Sequence, residues 1–568
     1  MAVLQLADER AGFVDVTTVG DCVDRAAHRW PGAEAMVFPD ERATFTDLAA
    51  RSDLFARAFI GLGISPGEMI GIRMDQRLDY YAALVGAAKI GAVAVPVNVR
   101  FKAFELAHVI VNSDMVALVG SPDGGEVGDH LDLISAALPS LAEAAGPELA
   151  LAEAPRLRHV IVVGEATRPW VVGDSALWDA AAAVDDETLA ARRLGVRVRD
   201  TAVLMYTSGT TDTPKGAMLS HEALVREGVV VGRTRFALTA DDVLWTPLPL
   251  YHIGGIAFAF ACWAVGATYC HNGHFDPAVA VRQLRDEGAT VAIPAFEMLW
   301  MAIVDHPEFS VDDVPRLRLV FNVGTPERLR QLQEKVPTAV QVSGFGATEA
   351  SSFMTLGEID DSLEDRVNTI GRPLPGLQVR IVDPETGEDC EPGVVGEICY
   401  RGWSTFDGYY KDPERNAEVF DEAGFFHSGD LGKLDGNGRF VFAGRLKDMM
   451  KVGGENVAAA EVEGFLLRHA AVAVAQVVAA PDARYDQVPT AFVQLVDGAE
   501  VTEEDIIAFC LGSIATYKVP RYVRFVDDWP MSGTKVKKFV LAERIEAELA
   551  AAGITEAPKL HSRPTPER

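Results

Sequence analysis

The chain has 568 residues, 49% of them hydrophobic and 24% charged, and a formal net charge of −30. The length suits about two to four globular domains with sizeable cores. The acidic balance excludes nucleic acid as a main partner, because a phosphate backbone is repelled over most of such a surface. Anionic small molecules need only a local positive site. Six cysteines (Cys22, Cys262, Cys270, Cys390, Cys399 and Cys510) show no C-x-x-C spacing, which argues against a disulfide framework or zinc site and fits a reducing cytoplasm.

The N-terminus, M-A-V-L-Q-L-A-D-E-R, lacks a basic segment followed by an apolar core, so no signal peptide is expected. Phe45 to Leu62 carries apolar residues at helical spacing and ends before Gly63. Met69 to Met74 reads as a strand, Leu78 to Ile90 as a helix and Ala92 to Val97 as a second strand; this rhythm implies a parallel sheet covered by helices. Ala136 to Ala154 is alanine-rich and is expected to be helical surface; His159 to Val163 is expected to be a strand. Thr201 to Tyr206 is predicted as a buried strand, and Ser220 as the cap of a following helix. The most membrane-like window, Gly254 to Cys270, is short for a span and lacks basic flanks, so a buried helix is predicted and no transmembrane segment. From about residue 376, short alternating stretches and turn pairs such as Asp435-Gly436-Asn437-Gly438 suggest a small β-rich subdomain. After 445 the composition shifts to a separate α/β core, and the Pro-rich tail after Thr555 is expected to be disordered.

Between the Thr201 strand and the Ser220 helix, residues 206–216 read Y-T-S-G-T-T-D-T-P-K-G. Hydroxyls, backbone N–H groups brought close by glycine, and a lysine all suit phosphate oxygens in a loop between strand and helix. The order differs from the P-loop, which ends G-K-[ST]. Further on, Ser343 to Ser351 reads S-G-F-G-A-T-E-A-S. Phe345 between Gly344 and Gly346 offers a stacking face for a purine, Thr348 a donor to phosphate, and Glu349 an oxygen ligand for magnesium; a plain glycine-rich turn before a helix remains open. Asp430, in H-S-G-D-L, could accept from ribose hydroxyls or simply serve a turn. Arg445, Lys447 and Lys451, in G-R-L-K-D-M-M-K, mark a candidate hinge or a solvated linker. Pro530 to Leu541 carries three lysines in four positions, a local positive spot or a surface run.

Together and in this order, these stretches resemble the adenylate-forming enzymes, and among them the fatty acyl-CoA and related carboxylate–CoA ligases, over about residues 20 to 550. The resemblance implies an α/β fold: a large N-terminal domain (1–445) of two stacked α/β subdomains plus a distorted β-barrel, and a small mobile α+β C-terminal domain (446–555), with 556–568 as the tail. It implies ATP, Mg²⁺ and CoA, and a small-molecule carboxylic acid, a fatty acid foremost, converted to acyl-AMP and then to a thioester. Carried over by position, Thr207, Ser208, Gly209, Thr210, Thr211 and Lys215 hold the β,γ-phosphates. Gly344, Phe345 and Gly346 line the adenine, Thr348 the α-phosphate, and Glu349 the metal. Asp430 takes the ribose, with Arg445 beside it; Lys447 and Lys451 lie in the hinge region; Gly453 and Gly454 line the pantetheine passage. Lys535 bridges carboxylate and α-phosphate, with Lys537 and Lys538 as neighbours, and His252 lies by the reacting carboxylate. The implied setting is cytoplasmic, with an oligomer left open.

Three positions depart from the family pattern. Asp212 replaces a glycine, Phe345 replaces the commoner tyrosine, and S-G-T-K-V-K-K lacks the usual T-G-K. The acyl side is expected along P-L-Y-H-I-G-G (249–255), in the apolar helix that follows, and at Asn322 to Pro326. Two other functions stand beside the leading one: an acyl-AMP ligase that loads a carrier protein, and a non-catalytic nucleotide-binding protein of the same fold.

Overall fold

The computed structural model describes residues 17–121, 130–207, 214–452, 455–511, 513–532 and 535–560. Two units form. One comprises the chain up to residue 379 with 400–426, and the other 380–399 with the chain from 427 onward.

The first unit is built on two seven-stranded sheets. In one the order is Val171–Val172, His159–Val162, Ala117–Gly120, Met69–Arg73, Val93–Pro96, Thr201–Thr207, Lys215–Ser220. All but the last pairing are parallel. In the other the order is Val340–Val342, Leu319–Val323, Val291–Phe296, Val243–Thr246, Thr268–His271, Glu34–Val37, Arg42–Thr44, again parallel up to an antiparallel last strand.

The helices Leu78–Lys89, His221–Val230 and Ile253–Trp263 share one core with residues of both sheets, Ile70, Ile72 and Val203 from the first and Leu244, Tyr269 and Ile293 from the second. Leu78–Lys89 and Ile253–Trp263 have few polar positions, as expected of elements covered on all sides, whereas His221–Val230 keeps Glu222 and Arg226 partly exposed. Alternate residues of the strands, such as Met69 and Leu118, pack in a separate core on the opposite face. A cation enters the shared core. The fully buried Lys89 ammonium meets Asp24 at 2.7 Å and Asp53 at 2.5 Å.

Most sequence-predicted elements are present, but some stretches differ. The alanine-rich stretch is not one helix: an α-helix ends at Ala137, a 3₁₀ turn covers Pro139–Glu143, and no helix follows to Ala154. Pro139 and Pro147 remove backbone donors there, and alanine propensity does not overcome them. The apolar window 254–270 divides into the buried helix Ile253–Trp263 and the strand Thr268–His271. Among the described residues no helix is long and apolar enough to cross a membrane.

A three-stranded antiparallel sheet (Gly344–Ala347, Ser352–Leu356, Arg372–Pro373) follows directly on the second seven-stranded sheet in sequence. Beyond it comes a four-stranded sheet in the order Gln378–Val382, Gly396–Arg401, Phe426–Leu434, Phe440–Arg445. The second unit also contains a five-stranded sheet centred on Val472–Asp482 and Asp486–Leu495, with helices Ala459–Leu466, Glu503–Cys510 and Lys538–Ala552. The start of the tail expected to be disordered is held in place. The Ala557 N–H donates to the Asp482 carboxylate at 2.6 Å, Arg521 donates to the Pro558 carbonyl at 3.0 Å, and Leu560 packs on the unit's core. Residues 561–568 lie outside the described residues.

Candidate active site

Thr201–Thr207 and Lys215–Ser220 pair antiparallel, Thr207 opposite Lys215 and Tyr206 opposite Gly216. The expected strand–loop–helix is therefore a hairpin. The helix begins only at His221, capped by Ser220 Oγ, which accepts from the Ala223 N–H at 3.2 Å. Ser208, Gly209, Thr210, Thr211 and Asp212 lie outside the described residues. Their two flanks are fixed: Thr207 Oγ1 reaches the Lys215 carbonyl at 3.5 Å, and the Tyr206 hydroxyl donates to Asn112 Oδ1 at 2.6 Å.

Gly344–Ala347 is a strand rather than a free turn, with Phe345 opposite Thr355. The glycines are required by close approach. A Cβ at Gly346 would overlap the Ser352 carbonyl oxygen, and one at Gly344 would lie 2.9 Å from the Thr355 carbonyl oxygen. Phe345 is half-buried against the core. Thr348 and Glu349 sit in a 3₁₀ turn that ends at Ser351, whose φ of +57° is held by an Oγ bond to the Ser404 carbonyl at 2.9 Å. Glu349 Oε1 accepts from the Tyr409 hydroxyl at 2.7 Å. Burial and the neighbouring Glu349 charge hold the Tyr409 phenol well above its usual range, so it stays a donor.

The segment around Tyr409 also stitches onto the Thr201–Ser220 hairpin. The Met218 N–H donates to the Gly408 carbonyl at 3.0 Å, Asp407 N–H to the Met218 carbonyl at 2.9 Å, and Tyr410 N–H to the Gly216 carbonyl at 2.8 Å. Phe406 N–H closes the frame on the Glu349 carbonyl at 2.9 Å.

The carboxyl end of the strand Leu319–Val323 in the second seven-stranded sheet leads into the Asn322 to Pro326 stretch expected on the acyl side. Phe296 and Val323 pair across neighbouring strands, and with Met298 they leave apolar surface open at 37%, 43% and 68% exposure. Ala295 has φ +62° beside a register shift in that strand. The Glu297 carboxylate accepts from the Thr325 N–H at 3.0 Å and would meet any Cβ placed at Gly324. Burial pushes the Glu297 carboxyl up, and the Thr325 bond pulls it partly back. The 247–252 stretch is fixed by Leu250 N–H to Gln76 Oε1 at 3.0 Å and by the Tyr80 hydroxyl to the Leu250 carbonyl at 3.0 Å. His252 is exposed at the start of Ile253–Trp263, its ring 4.9 Å from that of Tyr251, and is not a core histidine. Two of the buried histidines, His221 and His271, are held by burial down to about 4.

In the second unit, Asp430 is not at a turn. It lies within the nine-residue strand Phe426–Leu434, buried, opposite Arg445, whose Nε meets its carboxylate at 3.0 Å. Gly429 beside it takes φ +71°, a backbone conformation that glycine adopts without strain, and the register with the neighbouring strand shifts between Leu431 and Gly432. Lys447 is in the 3₁₀ turn Leu446–Asp448; Lys451 is exposed in the strand Met449–Val452. Gly453 and Gly454 lie outside the described residues, as does the Lys535 side chain, whose backbone pairs with Ser532. Lys538 is committed elsewhere, to Glu463 at 2.6 Å.

Residues 23–410 match the model of the AMP-binding enzyme family, and 461–535 that of the AMP-binding enzyme C-terminal domain. The chain belongs to the AMP-binding enzyme family. Within it, the chain is 33% identical to YngI of Bacillus subtilis (strain 168) over 539 residues, covering 93% of this chain and 97% of that protein. It is 30% identical to the medium-chain acyl-CoA ligase ACSF2, mitochondrial, of Mus musculus, covering 94% and 88%. The ATP-bound crystal structure of MatB from Rhodopseudomonas palustris superposes with a TM-score of 0.80 at 25% identity, covering 93% of this chain and 99% of that one. This AMP-binding enzyme is thus an ATP-dependent, adenylate-forming acid–thiol ligase, as its motifs led us to expect.

Sequence reasoning missed Tyr409. In S-T-F-D-G-Y-Y-K nothing local points to Glu349, which lies 60 positions away. It also missed Glu297, the acid beneath Gly324.

Proposed function

We propose that this AMP-binding enzyme is an acyl-CoA synthetase for a hydrophobic, medium-chain carboxylic acid. A carboxylate oxygen attacks the α-phosphorus of ATP and pyrophosphate leaves; the CoA thiol then attacks the acyl carbon, loses its proton, and AMP leaves. The observation that supports the reading is the hydrogen-bonded frame running from the Lys215 strand through 406–410 to Glu349, because it ties the strand of the proposed phosphate lysine to the proposed metal ligand. Attack by an anion on a polyanion needs neutralised charge and alignment more than a strong base.

In this reading Thr207 to Thr211 and Lys215 take the β,γ-phosphates, Phe345 the adenine, Thr348 the α-phosphate, and Asp430, backed by Arg445, the ribose. Glu349, with one oxygen held by Tyr409, presents the other as a ligand of the hard, oxygen-seeking kind that suits Mg²⁺. When bound, that ion would neutralise phosphate charge. Lys535 bridges the carboxylate and α-phosphate, and the domain from 446 onward is the mobile part, with Gly453 and Gly454 on the pantetheine side. The exposed apolar group Phe296, Met298 and Val323 supports a hydrophobic acid, as does the medium-chain name of ACSF2.

Pyrophosphate release with ATP-Mg²⁺ across fatty, aryl and steroid acids, with and without CoA, tests the proposal. CoA-dependent thioester formation, best with medium chains, is expected. Pyrophosphate without thioester would instead indicate a ligase that loads a carrier protein, and ATP binding without pyrophosphate a non-catalytic protein.

A further inference from the structure

Outside the proposed catalytic groups, Glu397, Cys399 and His427 converge in the second unit. Glu397 and Cys399 are two apart on the strand Gly396–Arg401 and so share a face. His427 comes from the neighbouring strand Phe426–Leu434. Its Nδ1 lies 2.8 Å from Glu397 Oε2 and 3.4 Å from Cys399 Sγ, and the three ligand atoms fall within 4.8 Å of one another. Glu397 and Cys399 are buried, whereas His427 is half-buried, so the group has a closed floor and an open side.

We propose that this triad binds one thiophilic transition-metal dication of the Zn²⁺ type. Thiolate, imidazole and carboxylate together suit Zn²⁺ or Co²⁺; a sulfur ligand does not suit Mg²⁺. A tetrahedral ion with bonds of about 2.0–2.3 Å sets its ligand atoms about 3.3–3.6 Å apart. The sulfur–nitrogen separation already meets that, and the nitrogen–oxygen pair must open by about half an ångström, which the half-buried imidazole can supply by tilting. Glu397 is pre-oriented for it: Oε1 accepts from the Gly429 N–H at 2.8 Å, which aims Oε2 into the triad. Water from the open side completes the tetrahedron. On binding, the cysteine thiol proton, and any proton on Nδ1, leave to solvent. The spacing of cysteines in the sequence argues against zinc because it reports cysteine pairs only; here the ligands are three different residue types on two strands.

The test is a Co²⁺ titration of the chelator-treated full-length protein, followed by Zn²⁺ competition. One equivalent per chain is expected, with tetrahedral d–d bands and a thiolate-to-cobalt charge-transfer band that Zn²⁺ abolishes. Cys399→Ser should remove the charge-transfer band. His427→Gln, at the open side, should weaken binding by at least about tenfold. Cys390→Ser, at a partly exposed thiol, should change neither. Absence of the charge-transfer band in the unaltered protein overturns the proposal, with no dependence on how the variants fold. A band that survives Cys399→Ser, or is lost in Cys390→Ser, overturns it as well.

Discussion

Tyr409→Phe isolates one bond of the proposed metal-binding group. The hydroxyl donates to Glu349 Oε1 at 2.7 Å, while the ring packs on Phe406 at a centroid distance of 4.9 Å, and phenylalanine keeps that packing. A hydrogen bond to an ionised group contributes about 1.5–3 kcal/mol. Glu349 is half-buried, so water replaces part of the lost bond, and the lower end, about 1.5–2 kcal/mol, applies. That is roughly 10- to 30-fold in kcat/KM for adenylation. Because Glu349 is the proposed Mg²⁺ ligand, the deficit should be largest at limiting Mg²⁺ and narrow as Mg²⁺ is raised. Tyr409 remains protonated through the working range, so no new pH dependence should appear. Pyrophosphate release at varied ATP and Mg²⁺ measures all three. A kcat/KM within about twofold of the unaltered enzyme, with the same Mg²⁺ dependence, would refute the view that this bond positions Glu349.

Lys89→Met should destabilise the first unit by about 2 kcal/mol, below the full cost of breaking a buried pair because Asp53 is 36% exposed and Asp24 keeps Arg193; urea unfolding showing under about 0.5 kcal/mol would contradict that. Glu227 is fully buried and accepts only from the Phe353 N–H, at 2.8 Å, and burial pushes its carboxyl well above the ordinary range. A raised acid contributes stability at low pH that is lost as pH climbs past its unfolded value, so Glu227→Gln should gain on the unaltered protein between pH 5 and about pH 8 in urea melts. An equal difference at both pH values would show that the carboxyl is ionised in the fold. Lys535→Ala should abolish acyl-AMP formation and spare thioester formation from supplied acyl-AMP, and equal loss of both half-reactions would reject the assignment. Lys538→Ala, which removes the partner of Glu463, should leave adenylation near its normal rate and lower the melting temperature instead.

What could be read from the sequence was whatever a short stretch requires by itself. The strand Met69–Arg73 is one such stretch, its alternation sending Ile70 and Ile72 into one core and Met69 into the other. The Phe45–Gly61 helix follows from local signals, as does the buried helix after His252. Phosphate and nucleotide chemistry were legible for the same reason: hydroxyls, glycines and a lysine must be close in sequence to line one loop. Failures came wherever a partner far along the chain decides the outcome. K-G-A-M-L-S became a strand because Thr201–Thr207 offered it an edge, and nothing within the six residues announces that. Asp430 reads as a turn residue, but the neighbouring strand with Arg445 keeps it in a sheet, with Gly429 beside it at positive φ. His252 has apolar neighbours in sequence, yet it is exposed ahead of its helix, while Leu248 bonds instead to the buried ring of His271. Glu349 was recognised as an acid with a role, but its donor could not be named, because a carboxylate accepts from any nearby hydroxyl and only the fold brings Tyr409 to it. Glu397, Cys399 and His427 follow the same logic. A strand register sets their distances, so a metal site made of unlike residues on adjacent strands leaves no spacing rule in the sequence, and only the folded sheet reveals it.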